Sequence, residues 1–320
     1  MLLKNLIDIV KELPEESYSE VYEIIQGVKK RFEETKETIP VICPQCNSKN
    51  CVKNGKQSGK QTYICKDCRK GFTETSTSAI SGSHSPASVW KAVIYDTVQG
   101  ISIDETAKNL DLTHQTVFNM RHKILHTVER AVLMNPVMLE GTCEIDETYV
   151  LECEKGRKFT EEHHREPRKN GKASKAGLSE EQVCLCTSVG GDGKCVAASV
   201  NRATPSKNEI EQVFGNRLED DTILLADGNK SYNTLKDRCT VVRTTTEDLV
   251  KINRFHNFIK ERLAKYRGVA TIYLNRYSAL FSETFGKADI ATKKIYDLMT
   301  DRNDSFATLN LLFSEGLLDI

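Results

Sequence analysis

Hydrophobic positions recur at helical spacing in two parts of the chain, which are separated by a polar segment. In residues 2–36 they fall every three or four positions, and Pro14 interrupts the run, which predicts two amphipathic helices. Residues 41–75 are rich in Gly, Lys, Asn and Thr and contain only short strand-like pieces. Helical spacing returns over residues 87–134. The N-terminal apolar stripe is predicted to be a packing face, either within the chain or against a second copy.

The pattern changes beyond Met138 to short apolar runs that alternate with helical stretches. Three strands in a row, followed by helix, strand, helix, strand and helix, predict an α/β fold with a mixed sheet. The predicted strands are 143–151, 183–189, 195–200, 222–226 and 240–243, and the predicted helices are 206–218, 231–238, 252–266 and 271–284.

Composition describes an ordinary globular chain and excludes disorder as its main state. The 320 residues are 39% hydrophobic and 28% charged, which is enough to bury a core in at least one large domain. The sequence has neither a membrane-spanning apolar run nor an export signal, so a cytoplasmic location is expected. In such a compartment, eleven cysteines favour metal binding or free thiols over a disulfide framework.

Charges are segregated along the chain although the net charge is zero. The first 40 residues are acid-rich, whereas residues 49–70 and 155–175 are basic. The second basic run has no apolar periodicity and is predicted to be a mobile loop. Either basic run alone is equally well explained as a solvated surface, but together they favour a polyanionic partner. In the second run, the candidate phosphate contacts are Lys158, Arg168 and Lys169.

Four cysteines form two pairs at metal-ligand spacing. Cys43 and Cys46 make one C-x2-C pair, and Cys65 and Cys68 make the other after eighteen intervening residues. Two such pairs supply the four thiolates of a tetrahedral structural zinc site. Cys51 lies outside the spacing and is predicted to be a free thiol. The segment is therefore predicted to be a zinc ribbon.

Residues 100–117 have the pattern of a helix, a tight turn and a second helix. Ala107 is the small residue where the helices would cross, and Thr113 would cap the second helix. This is a helix-turn-helix signature, although any two-helix corner can give a similar pattern. The residues that the second helix would present to a DNA major groove are Gln115, Thr116, Asn119 and Arg121.

Two aspartates lie within or directly after predicted strands. Asp146 lies inside an apolar strand, where an unpaired charge costs several kcal/mol, and Asp227 ends a later strand. Aspartates on adjacent strands can bind Mg²⁺ between them, because that ion prefers hard oxygen ligands. A helix that follows carries Asn253, Asn257 and Lys260 at i, i+4 and i+7, so one helix face could approach both aspartates.

These motifs together resemble the bacterial insertion-sequence transposases that combine a zinc ribbon, a helix-turn-helix and a DDE-type RNase H-like core. The resemblance extends from about Ile42 to Phe281. It rests on the cysteine pairs, the strand EIDETYV, the strand LLADG, the block NRFHNFIK that begins at Asn253, and the block RGVATIYLNRY that begins at Arg267.

The resemblance implies a set of catalytic residues. Asp146 and Asp227 correspond to the first two acids of the family, and Asn253, seven residues before Lys260, corresponds to the third metal ligand. The commonest third residue is Glu, and the neighbouring Glu147 or Glu261 are alternatives to the neutral amide. Two Mg²⁺ or Mn²⁺ ions would support strand cleavage and 3′-hydroxyl transfer. Lys260 would contact a phosphate, and His256 is a candidate DNA contact or a structural histidine.

The resulting expectation is a multidomain chain with a mixed-sheet RNase H-like core. Its partners would be double-stranded DNA, as element terminal inverted repeats and as target, and a second copy of the chain in the synaptic complex. It would act in the bacterial cytoplasm on the nucleoid, without a membrane. A DNA-binding regulator without catalysis and an RNase H-like nuclease without strand transfer are the rivals. The predicted domains are N-terminal helices 1–40, zinc ribbon 41–80, helix-turn-helix 87–134, catalytic core 139–290 and a helical tail 291–320.

Overall fold

The computed structural model describes residues 41–57, 60–73, 76, 78–155 and 172–300. The predicted N-terminal helices and the last twenty residues of the predicted tail lie outside the described residues, as do Lys158, Arg168 and Lys169. The chain divides into two compact units, residues 1–74 and 75–320. None of the described helices combines the length and the apolar content needed to cross a membrane.

The first unit contains a small antiparallel sheet. Its strands are β1 Cys51–Gln57, β2 Lys60–Cys65 and β3 Gly71–Thr73, with β2 in the middle. Tyr63 and Phe72 lie on paired positions of β2 and β3 and stack with their ring centroids 5.7 Å apart. They form a minimal core with Cys43 and Cys65. Among the described residues of this unit the core is small, and a core of this size stabilises little by itself.

Three helices begin the second unit. They are α1 Ala87–Gln99, α2 Ile103–Leu110 and α3 His114–Met134. Ser102 and Thr113 cap α2 and α3, because each side-chain oxygen accepts a backbone N–H from the first helical turn. The predicted cap at Thr113 is thus confirmed, and Asp111 makes the tight turn with φ of 51°.

A five-stranded mixed sheet forms the centre of the second unit. The strands are β4 Thr142–Leu151, β5 Gln182–Gly190, β6 Cys195–Arg202, β7 Ile223–Ala226 and β8 Thr240–Arg243. Their order across the sheet is β6-β5-β4-β7-β8. The first three strands are antiparallel, whereas β7 and β8 run parallel to β4. This confirms the predicted mixed sheet and its order of elements.

Helices cover the sheet and continue beyond it. They are α4 Lys207–Phe214, α5 Val250–Lys265, α6 Leu274–Thr284 and α7 Ala288–Thr300, with 3₁₀ turns at Lys230–Leu235 and Thr271–Tyr273. The helix predicted over 231–238 is therefore a 3₁₀ turn. The predicted boundary between residues 290 and 291 falls inside α7, which packs on α1 and α3.

Alternation along β4 gives the sheet two buried faces. Ile145 and Cys143 pack in a hydrophobic cluster with residues of α4 and of the 3₁₀ turn Lys230–Leu235. The even-numbered positions of β4 face α5. The α5 side shares one hydrophobic core with the predicted helix-turn-helix, since Trp90 of α1 belongs to the same cluster as Leu185 of β5 and Phe255 of α5. The division predicted between 134 and 139 therefore does not separate two cores. Ile80, expected in the zinc ribbon, also packs in this core.

Candidate active site and zinc site

The register of two parallel strands brings two acids together. Ile145 of β4 pairs with Ala226 of β7, so the next residue on each strand, Asp146 and Asp227, stands beside the other at the same sheet edge. Glu147 follows on β4, and one carboxylate oxygen from each of the three acids lies within 4.8 Å of the others. Neighbouring strands thus form a cluster of three carboxylates.

Burial and mutual repulsion make this cluster unfavourable for three negative charges. Burial raises the pKa of Asp146 to about 6, and the charge of Asp227 adds to the shift. Burial also raises the pKa of Glu147 to about 7, reinforced by both aspartates. The Lys260 ammonium and the backbone N–H of Glu147 oppose the shift at Asp146.

A turn after β7 holds two of the acids in place. The backbone N–H of Asn229 donates to Asp227 Oδ1 at 2.9 Å, and its side-chain amide donates to Glu147 Oε1 at 2.6 Å. Asn229 Oδ1 in turn accepts the N–H of Ser231 at 2.9 Å, which starts the 3₁₀ turn. One asparagine therefore links the Asp227 turn to the acid on the neighbouring strand.

A threonine and a histidine support Asp146 from the other side. Thr187, its partner on β5, donates its hydroxyl to Asp146 O at 2.8 Å and lies 2.7 Å from His256 Nε2. The His256 ring therefore links Thr187 Oγ1, through Nε2, to Asp146, whose Oδ2 lies 3.9 Å from Nδ1. Burial lowers the pKa of His256 to about 4, and the nearby Lys260 adds to the effect.

His256 is consequently a structural residue of the site. Its side chain is buried, with one ring nitrogen bonded to Thr187 and the other facing a carboxylate. The interpretation of His256 as a DNA contact is wrong for this conformation, because a phosphate or base cannot reach a ring so enclosed. The alternative, a satisfied structural histidine, describes what is observed.

Helix α5 presents the remaining predicted residues with unequal exposure. Glu144, one strand repeat before Asp146, accepts the backbone N–H of Ile252 at 2.8 Å and so caps α5 from the sheet. Asn253 is half-buried and its amide nitrogen donates to Thr246 O at 2.9 Å, so Oδ1 is the amide atom left for a cation. Lys260 is exposed. Glu261 is occupied by an ion pair with Lys265 at 2.7 Å.

An arginine that the sequence analysis did not single out lies beside the acid-bearing turn. Gly228 follows Asp227, and a methyl group on its Cα would approach the Arg243 guanidinium to 2.7 Å. Arg243 ends β8 and is exposed. It stands next to the carboxylate edge because β7 and β8 pair in register up to Ala226 and Arg243. This cation could contact a polyanion bound across the acids.

The acid cluster suits a hard divalent cation. Within the described residues, no lysine or arginine forms an ion pair with Asp146, Glu147 or Asp227. Partly buried carboxylates without such partners are stabilised when they share a cation, and oxygen donors are the ligands that Mg²⁺ and Mn²⁺ prefer. The donor set therefore fits the predicted metal site, with Glu147 in the cluster.

The four predicted cysteines converge in the first unit. Their sulfur atoms lie within 4.8 Å of one another, with Cys43 Sγ 3.5 Å from Cys68 Sγ and Cys46 Sγ 3.6 Å from Cys65 Sγ. Tetrahedral zinc with Zn–S bonds of about 2.3 Å requires sulfurs about 3.8 Å apart. Backbone N–H groups of Cys68 and Asp67 lower the pKa of Cys65 to about 6, whereas burial and the neighbouring sulfurs raise the pKa of Cys46, because the four sulfurs share one small site. The geometry and the chemistry both fit zinc.

The two cysteine pairs repeat one backbone design. Asn47 follows Cys46 with φ of 56°, and Arg69 follows Cys68 with φ of 59°. Asparagine adopts this left-handed conformation readily, whereas arginine does so at a cost of about 1 kcal/mol. Each turn needs the reversal because the backbone must fold under the sulfurs and point its N–H groups at them.

The helix-turn-helix residues divide between the surface and the interior. Gln115 and Asn119 are exposed on α3 and bonded to each other at 2.8 Å, and Thr116 is half-buried beside Thr113. The prediction that Arg121 faces outward is wrong, because its side chain is 1% exposed.

Internal partners hold the Arg121 guanidinium. It donates to Ile101 O at 2.7 Å and lies over the Tyr266 ring at 5.3 Å. An arginine one turn from Val117 on α3 must face the core of the unit, where the Ile101 carbonyl oxygen accepts a hydrogen bond from its guanidinium. Predictions from α3 alone missed this, since its partners are Tyr266, just after α5, and the loop before α2.

Three residues at the site gave no signal of their own in the sequence. Asn229 lies two residues after an acid, which is an ordinary place for a turn former. Arg243 lies at the end of a strand, which is an ordinary place for a surface charge. Thr187 sits in an apolar strand, where threonine is common. Only the pairing of β5, β4, β7 and β8 shows that these side chains meet the acids.

Comparison with known proteins bears on the second unit. Residues 138–282 match the family described as the ISXO2-like transposase domain. A relative from Halobacterium salinarum, described as an uncharacterized protein in transposable element ISH50, is 25% identical over 201 residues. The match covers 62% of this chain and 65% of the relative, so the chain spans just under two thirds of that relative. The resemblance to insertion-sequence transposases is thereby confirmed, and its transposase-domain match lies in residues 138–282.

Solved structures give distant matches. The pre-cleavage Mos1 transpososome is 11% identical, with a TM-score of 0.27, and the match covers 62% of this chain and 75% of that chain. The mariner Mos1 paired end complex with Mg is also 11% identical, with a TM-score of 0.30, and the match covers 91% of this chain and 89% of that chain.

Proposed function

We propose that the chain is a DDE-type transposase of an insertion sequence. It would bind the ends of its element, cleave DNA there and join the freed 3′-hydroxyl to target DNA. The observation that carries the proposal is the parallel register of β4 and β7, which sets Asp146 and Asp227 side by side next to Glu147; among the described residues no lysine or arginine forms an ion pair with these acids. The transposase domain match over residues 138–282 supports it.

Asp146 and Asp227 would hold the divalent cations, Mg²⁺ or Mn²⁺. Glu147 is the third carboxylate of the cluster, and the oriented Oδ1 of Asn253 is the other candidate for a third ligand. The bound cations would supply Lewis-acid stabilisation of charge on the attacking and leaving oxygens. Thr187 would keep the β4 backbone at Asp146 in place through its bond to the carbonyl oxygen.

The chemistry would take place in two displacements at phosphorus. In the first, a water oxygen attacks the phosphodiester at the element end, the bond from phosphorus to the 3′-oxygen breaks, and the leaving oxygen takes up a proton. In the second, that 3′-hydroxyl attacks a target phosphodiester and a target 3′-oxygen leaves. Lys260 and Arg243, both exposed, would contact the phosphates on either side of the acid cluster.

DNA binding is assigned to three parts of the chain: α3, the basic segment 155–175, and the basic residues of 49–70. Gln115 and Asn119 on the exposed side of α3 would contact base edges, and Thr116 would lie near the DNA backbone. The basic segment that contains Lys158, Arg168 and Lys169 would contact phosphates. A further proposed partner is a second copy of the chain, because pairing two element ends requires at least a dimer.

Zinc would be held by the four cysteines and would act structurally. Cys43, Cys46, Cys65 and Cys68 surround one point at sulfur spacing that suits the ion. Because the hydrophobic core formed by residues 41–73 is small where the structure describes it, the zinc would supply much of the folding free energy of this segment. The ribbon would then present the basic residues of 49–70 to DNA.

The decisive experiment is cleavage and strand transfer by the full chain on labelled DNA that carries its own element ends, with Mg²⁺ or Mn²⁺. Asp227→Asn should abolish both products while retaining DNA binding. The matched control is Asp221→Asn, which changes an exposed acid just before β7 and should leave activity unchanged. Glu147→Gln and Asn253→Ala identify the third ligand, since the variant that removes it should lose most activity.

Each rival function predicts a different result. Binding without cleavage by any of the proteins would show a DNA-binding regulator. Cleavage without joined products would show a nuclease. Activity that survives Asp227→Asn would contradict the assignment of the acid cluster itself.

A further inference from the structure

A cleft lies between the helix-turn-helix and the segment that follows α5. Its volume is about 320 Å³, within the range of ordinary small-ligand sites. One side is formed by α2, α3 and the residues that precede them, and the other by residues 266–273 with Lys155. Residues 267–277 are the block RGVATIYLNRY, so a motif that catalysis does not use forms a wall of this cleft.

Aromatic rings form one wall of the cleft. The rings of Phe118 and His122, one turn apart on α3, have centroids 4.2 Å apart, and Tyr273 contacts His122 at 4.4 Å. Phe118 and Tyr273 are only half-buried. A planar heteroaromatic group that enters here would find rings to pack against, as nucleobases do on single-strand-binding proteins.

Two buried polar atoms in the lining lack partners. His122 is 7% exposed and its Nδ1 has no hydrogen bond within the described residues. Arg121 is 1% exposed and its Nε is likewise unpaired, although its Nη2 is bonded. Native interiors rarely leave such atoms unsatisfied, and the free edge of a nucleobase carries both donors and acceptors.

Two cations lie at the opening. Lys155 and Arg267 are exposed lining residues, and the one acid in the lining, Asp104, lies 3.5 Å from His114. Positive side chains around an aromatic cleft suit the phosphate attached to a base. The cleft thus offers aromatic rings for a base and cationic side chains for the attached phosphate.

The loop that carries Arg267 is held in an unusual conformation. Arg267 has φ of 56° and Gly268 has φ of 99°, and an arginine in this region is strained by about 1 kcal/mol or more. Thr271 anchors the loop, because its N–H donates to Cys153 O at 2.8 Å and its hydroxyl oxygen accepts the Cys153 N–H at 2.9 Å. Cys153 lies just beyond β4, the strand that carries Asp146, so the cleft is tied to the acid cluster.

We propose that this cleft binds one unpaired nucleotide of the DNA on which the protein acts. The base would pack against Phe118, His122 and Tyr273, and its phosphate would contact Arg267 and Lys155. The inference rests on the proposed function, since the strand must be brought by the exposed face of the same α3 helix. DNA is favoured over a free nucleotide because Gln115 and Asn119 lie within a turn of the aromatic wall.

The test uses the full chain and duplexes of the element end in which 2-aminopurine replaces one adenine at a time. Its fluorescence rises when the base leaves the stack, and anisotropy of a labelled duplex measures binding separately. A rise is expected at one position. Phe118→Leu, which keeps the helix and an apolar side chain, should remove the rise and weaken binding about fivefold, at the lower end of what one base stack contributes.

Two further variants separate charge from fold. Arg267→Gly removes the guanidinium but keeps a residue that adopts positive φ freely, so the loop should persist while binding weakens. Lys236→Ala, an exposed lysine that does not line the cleft, is the charge control and should behave as wild type.

The outcomes are distinguishable. Duplex binding with no fluorescence rise at any position would overturn this inference and leave the proposed function intact. A rise that persists in Phe118→Leu and Arg267→Gly would place the unstacked base elsewhere and would also overturn it. Saturable binding of free 2-aminopurine mononucleotide that these variants abolish, without a rise in duplex DNA, would show a free nucleotide as the ligand. Loss of duplex binding by wild type would overturn both proposals.

Discussion

His122 offers a quantitative test of how helix α3 is joined to the segment that follows α5. The ring is enclosed between Phe118 of α3 and Tyr273 of the segment after α5, with Arg121 and Arg276 nearby. Burial, reinforced by these two cations, lowers its pKa from 6.5 to about 4. The perturbation is His122→Phe, which keeps an aromatic ring on α3 but cannot take up a proton.

The sign and size of the expected change in unfolding free energy follow from the pKa shift of His122. Because the folded-state pKa of His122 lies below its unfolded-state value, acid favours the unfolded chain. The contribution of His122 to the free energy of unfolding is therefore fully present only above about pH 6.5. It falls as the pH drops from 6.5 to 4, by about 3 kcal/mol in total at 1.4 kcal/mol per pKa unit. At pH 5 the loss should already be about 2 kcal/mol. His122→Phe should remove this part of the acid sensitivity.

The assay is urea unfolding followed by tryptophan fluorescence at pH 7.5 and pH 5. Trp90 is the only tryptophan and is buried in the core that α3 shares with the sheet, so its emission reports this unit. Subtracting the variant from wild type cancels the contributions of other acid-sensitive groups, including His256. A wild-type loss between the two pH values that equals the loss in His122→Phe and in His122→Leu would refute the reasoning.

Three other perturbations have defined outcomes. Cys65→Ser should abolish zinc binding in a metal-stoichiometry assay while Cys51→Ser retains it, and equal zinc in both proteins would contradict the four-cysteine site. Thr187→Val removes the hydroxyl that bonds a buried imidazole and a strand carbonyl, so unfolding should become easier by about 1–3 kcal/mol, with recovery in Thr187→Ser. Glu144→Leu leaves the buried N–H of Ile252 without an acceptor and should lower the free energy of unfolding in urea by a similar amount. Glu144→Gln keeps an acceptor and should lower it less.

The order of helices and strands could be predicted from the sequence because it depends on local periodicity. The five strands of the second unit lie within two residues of their predicted bounds. The cysteine pairs are equally local, since two residues between ligands suffice to fold a turn under a metal. The first two acids could also be identified, because a charge inside or at the end of an apolar strand stands out against its neighbours.

Side-chain partners from distant elements could not be predicted in this way. The charge of Arg121 favours a surface position, yet its place one turn from Val117 puts it on the buried face of α3, where the loop before α2 and Tyr266, just after α5, enclose it. His256 is similarly enclosed because Thr187 arrives from β5. Each burial depends on contacts between residues far apart in sequence, which a pattern of neighbours does not record.

The sequence by itself determined the composition of the two candidate metal sites and the alternation of elements that carries them. Tertiary structure decided which acids meet, that Glu147 joins Asp146 and Asp227, and that the helix-turn-helix shares its core with the sheet. The physical reason is that secondary structure follows from the spacing of apolar residues along a few turns or strands. The register of paired strands and the burial of a polar group depend instead on the free energy of packing the whole unit.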